Sequence, residues 1–228
     1  MATIADNLQA VKARIARAAE QARRDPSGVT LLAVSKSHPA ARIAEAQAAG
    51  QRAFGENYVQ EALGKIQALP GLEWHLIGPL QSNKTRIAAE HFLWVHTVAN
   101  EKIAHRLSDQ RPPSLPPLNV LIQLNVSGEA TKSGVAPAEA PTLASAIAGL
   151  PRLRLRGVMA IPEPGAAASR YREVRAAFEA LKAQFDVDTL SMGMSEDMEL
   201  AIAEGATLVR IGTAIFGPRR TLQQESTA

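Results

Sequence analysis

The sequence predicts an α/β fold: a modified (β/α)8 TIM barrel with an extra N-terminal helix. Three observations carry this. Short β-rich runs alternate with Ala-rich helical segments along the chain, a beat that implies parallel strands joined by crossovers. There are eight such runs, the number that closes a barrel. The run VLIQLNV (120–126) is almost continuously apolar, as a strand buried on both faces should be. The rival is an open, doubly wound sheet. No G-x-G-x-x-G follows the first run, which removes the main reason to prefer it.

The elements follow in order. In the opening segment, 3–24, Ile4, Leu8, Val11, Ile15 and Ala18 recur at helical spacing. Its arginines could mimic an organelle transit peptide, but Asp6 and Glu20 argue for an ordinary docked helix, because such peptides are poor in acids. Strands are read at 29–35, 52–55, 73–77, 93–97, 118–125, 154–160, 188–191 and 207–211. The helical segments between them are 39–49, 56–68, 82–90, 100–110, 137–148, 167–184 and 196–204. Glu56 and Asn57 are placed to cap the second of these, and Ser195, followed by Glu-Asp, is a good N-cap signal for the last. PPSLPP (112–117) reads as a rigid connection before the fifth strand, and IPEPGAAAS (161–169) as a turn leaving the sixth. After the eighth strand only a short polar tail remains (218–228), expected to be frayed. With no long closing helix there, the N-terminal helix is expected to cover its position. The result is one domain spanning 1–228.

With 228 residues, 46% of them hydrophobic, the chain can build a sizeable core. It has 25 basic and 22 acidic residues, a net charge of +3. The pI near 9.4 says little, because no basic stripe is interleaved with aromatics, and no nucleic-acid partner is expected. No apolar run approaches the roughly 20 residues of a membrane span. The absence of cysteine excludes disulfides, thiolate catalysis and Cys-based zinc sites, and fits a reducing cytosol. The histidines (38, 75, 91, 96 and 105) show no metal spacing, so no metal is expected.

In a parallel barrel the functional loops follow the C-terminal ends of the strands. Lys36 ends the first strand after Leu31, Leu32, Ala33, Val34 and Ser35. Partial burial there would disfavour the ammonium and leave an amine able to attack an aldehyde; the plain alternative is a lysine snorkelling to solvent. The last strand ends in Arg210, Gly212 and Thr213. Glycine lets the backbone approach an anion, and successive N–H groups can cup it. First and last strands are neighbours in a closed barrel, so Lys36 would face that loop. A buried lysine facing an anion loop suits an aldehyde that carries a phosphate, and pyridoxal 5′-phosphate (PLP) is the commonest such molecule. Ser195 could aim a hydroxyl and a helix N-terminus at the phosphate or simply cap the helix. Arg210 could face a pyridine nitrogen and keep it unprotonated, or pair with a barrel carboxylate. Asn57 could reach the cofactor. His75 reads as a satisfied core histidine, Lys84 and Lys132 as solvated loop lysines, and Met192, Met194 and Met198 as core filling.

The segments LLAVSKSHP, FGENYVQEA, WHLIGPLQSNK, KSG, GVMAIP and LSMGMSEDMELAIAEGATLVRIGTAIFG, in this order, closely resemble the pyridoxal phosphate homeostasis protein family. These are single-barrel PLP-binding proteins similar to the N-terminal domain of alanine racemase. The resemblance covers roughly residues 5 to 217. It implies PLP on Lys36 as an internal aldimine, Ser195, Gly212 and Thr213 near the phosphate, and Arg210 near the pyridine nitrogen. Ser191 and Asn57 match family positions close to the ring. The family is regarded as regulating PLP supply without well-established catalysis, so no catalytic residue is assigned. The resemblance also implies a cytoplasmic monomer whose partners are PLP and, for delivery, PLP-dependent apoenzymes. The alternative is a PLP-dependent racemase or a related enzyme. Racemisation needs a base on each face of the substrate carbon, and the tyrosines here, Tyr58 and Tyr171, are expected at a helix start and in an outer helix. A Schiff-base aldolase acting without PLP is a third reading.

Overall fold

The computed structural model describes residues 2–127 and 133–218. Lys132 of the K-S-G motif and tail residues 219–228 lie outside them. Eight parallel strands close a barrel in sequence order: β1 Thr30–Val34, β2 Ala53–Glu56, β3 Glu73–Leu76, β4 Trp94–Val98, β5 Leu118–Leu124, β6 Leu153–Ala160, β7 Thr189–Ser191 and β8 Leu208–Ile211. The seam is formed by β1 and β8, with Leu32 opposite Arg210 and Ala33 opposite Ile211. The predicted neighbours meet.

The helices are α1 Ile4–Gln21, α2 Ala40–Ala48, α3 Val59–Ala68, α4 Thr85–His91, α5 Glu101–Gln110, α6 Ala140–Ala148, α7 Ala168–Lys182, α8 Met198–Ala203 and α9 Thr213–Phe216. A capping box starts α1: the Thr3 hydroxyl accepts from Asp6 N–H, and the Asp6 carboxylate accepts from Thr3 N–H. Its apolar stripe, Ile4, Leu8, Val11, Ile15 and Ala18, is buried against α2, α8 and α9. The N-terminal helix therefore fills the gap between the first and last outer helices. It shares that role with the single turn of α9, which is too short to show a period in the sequence.

Four helices, α3, α4, α6 and α8, start two or three residues later than expected, and in α3 and α8 the expected caps fail. Glu56 belongs to β2, drawn into the sheet by buried contacts to Ser35 and Lys65; the N-cap of α3 is Tyr58, with no side-chain cap bond. Neither Glu56 nor Asn57 caps. The N-cap of α8 is Asp197, whose carboxylate accepts the Met194 N–H, so Ser195 lies in the preceding turn and does not cap either. Met192 and Met198 are fully buried as expected, whereas Met194 is 39% exposed at the mouth.

The barrel wall separates two apolar regions. Phe54, Trp74, Leu76, Val95 and Ile122 point outward into one continuous core with the helices, and Trp94, Leu121 and Met159 pack together separately from it. Strand alternation places the second set inside the barrel. Arg111, wholly buried, donates to the carbonyls of Ala89, Phe92 and Pro116, which ties the Pro-rich connection to the end of α4. Among the described residues no helix is long and apolar enough to cross a membrane.

Candidate functional site at the C-terminal mouth

Lys36 follows β1 in a tight turn closed by the His38 N–H donating to the Ser35 carbonyl at 3.1 Å. Ser37 has φ of 63°, a conformation that a residue with a side chain adopts only when its surroundings hold it. Glu61 provides the hold, accepting the Ser37 N–H at 2.6 Å. Beneath the turn, the Lys65 ammonium on α3 donates to Ser35 O at 2.9 Å, Glu56 Oε1 at 2.8 Å and Glu61 Oε1 at 2.7 Å, and the Ser35 hydroxyl donates to Glu56. Lys65, Glu56 and Ser35 are all buried. Burial pushes the Glu56 carboxyl up, against the opposing pull of Lys65 and Ser35. The cluster clamps the backbone on both sides of Lys36, which is itself half-buried. His38 stacks on Phe216 of α9 with ring centroids 5.0 Å apart, joining this turn to the loop after β8.

Arg210 is buried on β8. Its terminal nitrogens donate to Ser191 Oγ at 2.7 Å and to Ala160 O at 2.9 Å. Among the described residues it has no ion pair with a carboxylate, so the expectation of a barrel carboxylate partner does not hold. The chain instead satisfies it with neutral acceptors. Burial pushes the guanidinium down to about 10, with Asp197 pulling the other way, so it stays charged at neutral pH. At Gly212 a Cβ would sit 3.1 Å from Val34 O and 3.4 Å from Val34 Cβ, so a side chain there would crowd the β8–β1 seam. Thr213 begins α9; the Ile215 and Phe216 amides bond the Gly212 carbonyl, while the Thr213 and Ala214 amides before them have no carbonyl within their own helix to bond. Ser195 is half-buried; its carbonyl accepts from Arg14 of α1, and its hydroxyl has no hydrogen-bond partner among the described residues.

Ser191 and Arg210 thus lie on β7 and β8, Gly212 and Thr213 follow β8, and Lys36 follows β1, at the C-terminal ends of three adjacent strands, with Ser195 on the loop after β7. Asn57 follows β2 next door. Its backbone lies so close to Gly78 that a Cβ there would be 2.1 Å from Asn57 O. Asn57 also lines a cavity of about 340 Å³ with Gln123, Asn125, Ser127, Ile161 and Glu163. That cavity occupies the β2–β6 half of the mouth, and the other predicted residues do not line it.

The sequence profile described as alanine racemase, N-terminal domain, matches residues 7–220. A pyridoxal phosphate homeostasis protein of Pseudomonas aeruginosa is 61% identical over 96% of this chain and 97% of its own length. That of Escherichia coli is 58% identical over 96% of this chain and 98% of its own. This chain belongs to the pyridoxal phosphate homeostasis protein family. Among solved structures, PipY of Synechococcus elongatus with PLP bound superposes with a TM-score of 0.77 at 40% identity, covering 94% of this chain and 100% of that one. An alanine racemase from Bacillus anthracis, with a TM-score of 0.66 at 21% identity over 57% of its length, shares the barrel fold.

Sequence reasoning missed two groups in this family member. The clamp Lys65–Glu56–Glu61 left no signal, because nothing in the sequence says which face of α3 meets β1. His96 was legible only in part. His75 and His96 stand in adjacent strands, and His96 lies two residues beyond Trp94, the partner of His75 in the β3–β4 register. Both rings are buried, with His75 Nδ1 2.8 Å from His96 Nε2. His75 is a satisfied core histidine, as expected, and part of something larger.

Proposed function

We propose that this chain binds PLP and regulates its intracellular supply, holding it covalently on Lys36, without a catalytic reaction of its own. The observation that carries the reading is the pair across the β8–β1 seam: a lysine clamped in a strained turn, and a buried arginine with no carboxylate partner among the described residues. The names of the relatives and the PLP held by PipY support it.

The residues present fit PLP. Lys36 would carry it. Ser195, Gly212 and Thr213 would hold the phosphate, with a hydroxyl lacking a described partner and first-turn amides as donors. Ser191 and Asn57 would flank the ring. Bound PLP supplies an aldehyde that condenses reversibly with amines. Arg210 would face the pyridine nitrogen. Charged even when buried, it would keep that nitrogen unprotonated and the ring a weaker electron sink, which suits holding a cofactor better than driving chemistry on a substrate. A racemase would need a second base. Tyr171 is buried and donates to Asp197, which together push its hydroxyl pKa further up, and Tyr58 is 62% exposed. Neither is placed as such a base. The working unit in this proposal is the monomer that the family resemblance implies. Its location in the cytoplasm and delivery to apoenzymes complete the proposal.

The test is the visible absorbance of the purified protein with added PLP, followed by borohydride reduction and peptide mapping. A cofactor band and a pyridoxyl adduct on Lys36 are expected. No band and no adduct would discard PLP and bring the Schiff-base aldolase reading forward.

A further inference from the structure

Glu73, His75, His96, Ser191 and Arg210 form one hydrogen-bonded file through the barrel. Glu73 opens β3 at the N-terminal mouth. There its side chain is 44% exposed and lines a cavity of about 470 Å³ with Lys12 and Arg52. Arg210 stands at the other end, below the C-terminal mouth. The two ends differ in kind, since a guanidinium only donates and a carboxylate only accepts. With both rings neutral and the Ser191 proton kept in the file, that difference sets the direction of every bond between them. Arg210 donates to Ser191 Oγ at 2.7 Å, so the Ser191 proton turns to His96 Nδ1 at 3.3 Å. His96 then carries its own proton on Nε2 and donates to His75 Nδ1 at 2.8 Å. His75 likewise carries its proton on Nε2 and donates to Glu73 Oε1 at 2.9 Å. Both rings are neutral.

The groups facing the file agree with this. Burial holds both imidazoles below their ordinary range; Glu73 partly restores His75, while the Arg210 charge, and that of His75 whenever it is protonated, lower His96 further. Trp94 stacks on His75 at 5.1 Å. Arg156 of β6 lies 4.7 Å over the Trp94 ring and is bonded to Asp188. Asp197, which accepts from Tyr171 of α7, faces Arg210. A second arrangement exists with one more proton. His75 as imidazolium would donate from both nitrogens, His96 would carry its proton on Nδ1 and donate to Ser191, and Ser191, now accepting from His96 and Arg210 together, would turn its own hydroxyl out of the file.

We propose that His75 and His96 are positioning residues for the cofactor site: through Ser191 they set the hydrogen bonding of the guanidinium that faces the PLP ring, from the far side of the barrel. The proposal rests on the PLP reading above.

Two measurements test it. In cofactor-free protein, imidazole 15N–1H spectra at pH 7–8 should show His75 and His96 both in the Nε2–H form; an imidazolium or an Nδ1–H ring would overturn the file. In PLP-loaded protein, Glu73→Gln, nearly isosteric and on the rim, should move the pH at which His75 protonates down by about one unit. The pH midpoint of the bound PLP absorbance should move with it. A cofactor titration that stays put while His75 shifts would overturn the coupling. If borohydride leaves no adduct on Lys36, the cofactor part falls with the PLP reading, and the spectra of unloaded protein still decide the file.

Discussion

The outer side of the barrel wall is apolar almost without interruption, while the inner side carries a buried arginine, a serine and two histidines beside Trp94, Leu121 and Met159. The outer residues, such as Phe54, Leu76 and Ile122, pack against the helices and drive folding through burial. The inner polar groups would destabilise the fold if left unpaired, and here each is bonded to the next. On the proposed site, stability and binding therefore belong to opposite faces of the barrel wall, and substitutions on the two sides should separate them.

The largest expected effect is that of Lys36→Ala: complete loss of the borohydride-fixed adduct with the thermal midpoint retained. An adduct that survives would place the attachment elsewhere. Outside the barrel wall, Leu107→Ala, in the buried stripe of α5 that joins the outer core, should lose about 2–5 kcal/mol. That is a fall of roughly 5–15 °C in a domain of this size, with the PLP spectrum unchanged. A changed spectrum would break the separation between the faces. Arg210→Ala should weaken PLP retention about 10- to 100-fold, the value of a hydrogen bond to a charged group, in equilibrium dialysis. Unchanged affinity would make Arg210 a structural arginine.

The smallest effect is in pH. His75 and His96 are held below the ordinary histidine value in the folded protein, so at mildly acidic pH the unfolded chain binds more protons. Stability from these two rings is complete above about pH 6.5 and is lost as pH falls toward their folded values. Thermal midpoints measured from pH 8 to 5 should decline below pH 6.5; a flat profile would contradict two neutral buried rings.

The strands were legible because their β-rich runs and regular alternation with helical segments mark them directly, and barrel closure then made the strand that leads to Lys36 the neighbour of the strand that carries Arg210. Helix starts were less legible. Glu56 and Ser195 have the local chemistry of caps, but Glu56 is claimed by Lys65 and Ser35 across the sheet, and Asp197 takes the cap of α8. The four residues of α9 are too few for a period. The file through the barrel was hidden for a related reason: the parity of His75 and His96 becomes meaningful only when the register of β3 on β4 is known.

The central claim is that Lys36 holds PLP in a turn built for it. Borohydride reduction of the PLP-loaded protein, with every lysine-containing peptide mapped by mass, tests this most directly. The account predicts one stoichiometric pyridoxyl adduct, on Lys36; an adduct spread over surface lysines, or none at all, would contradict it.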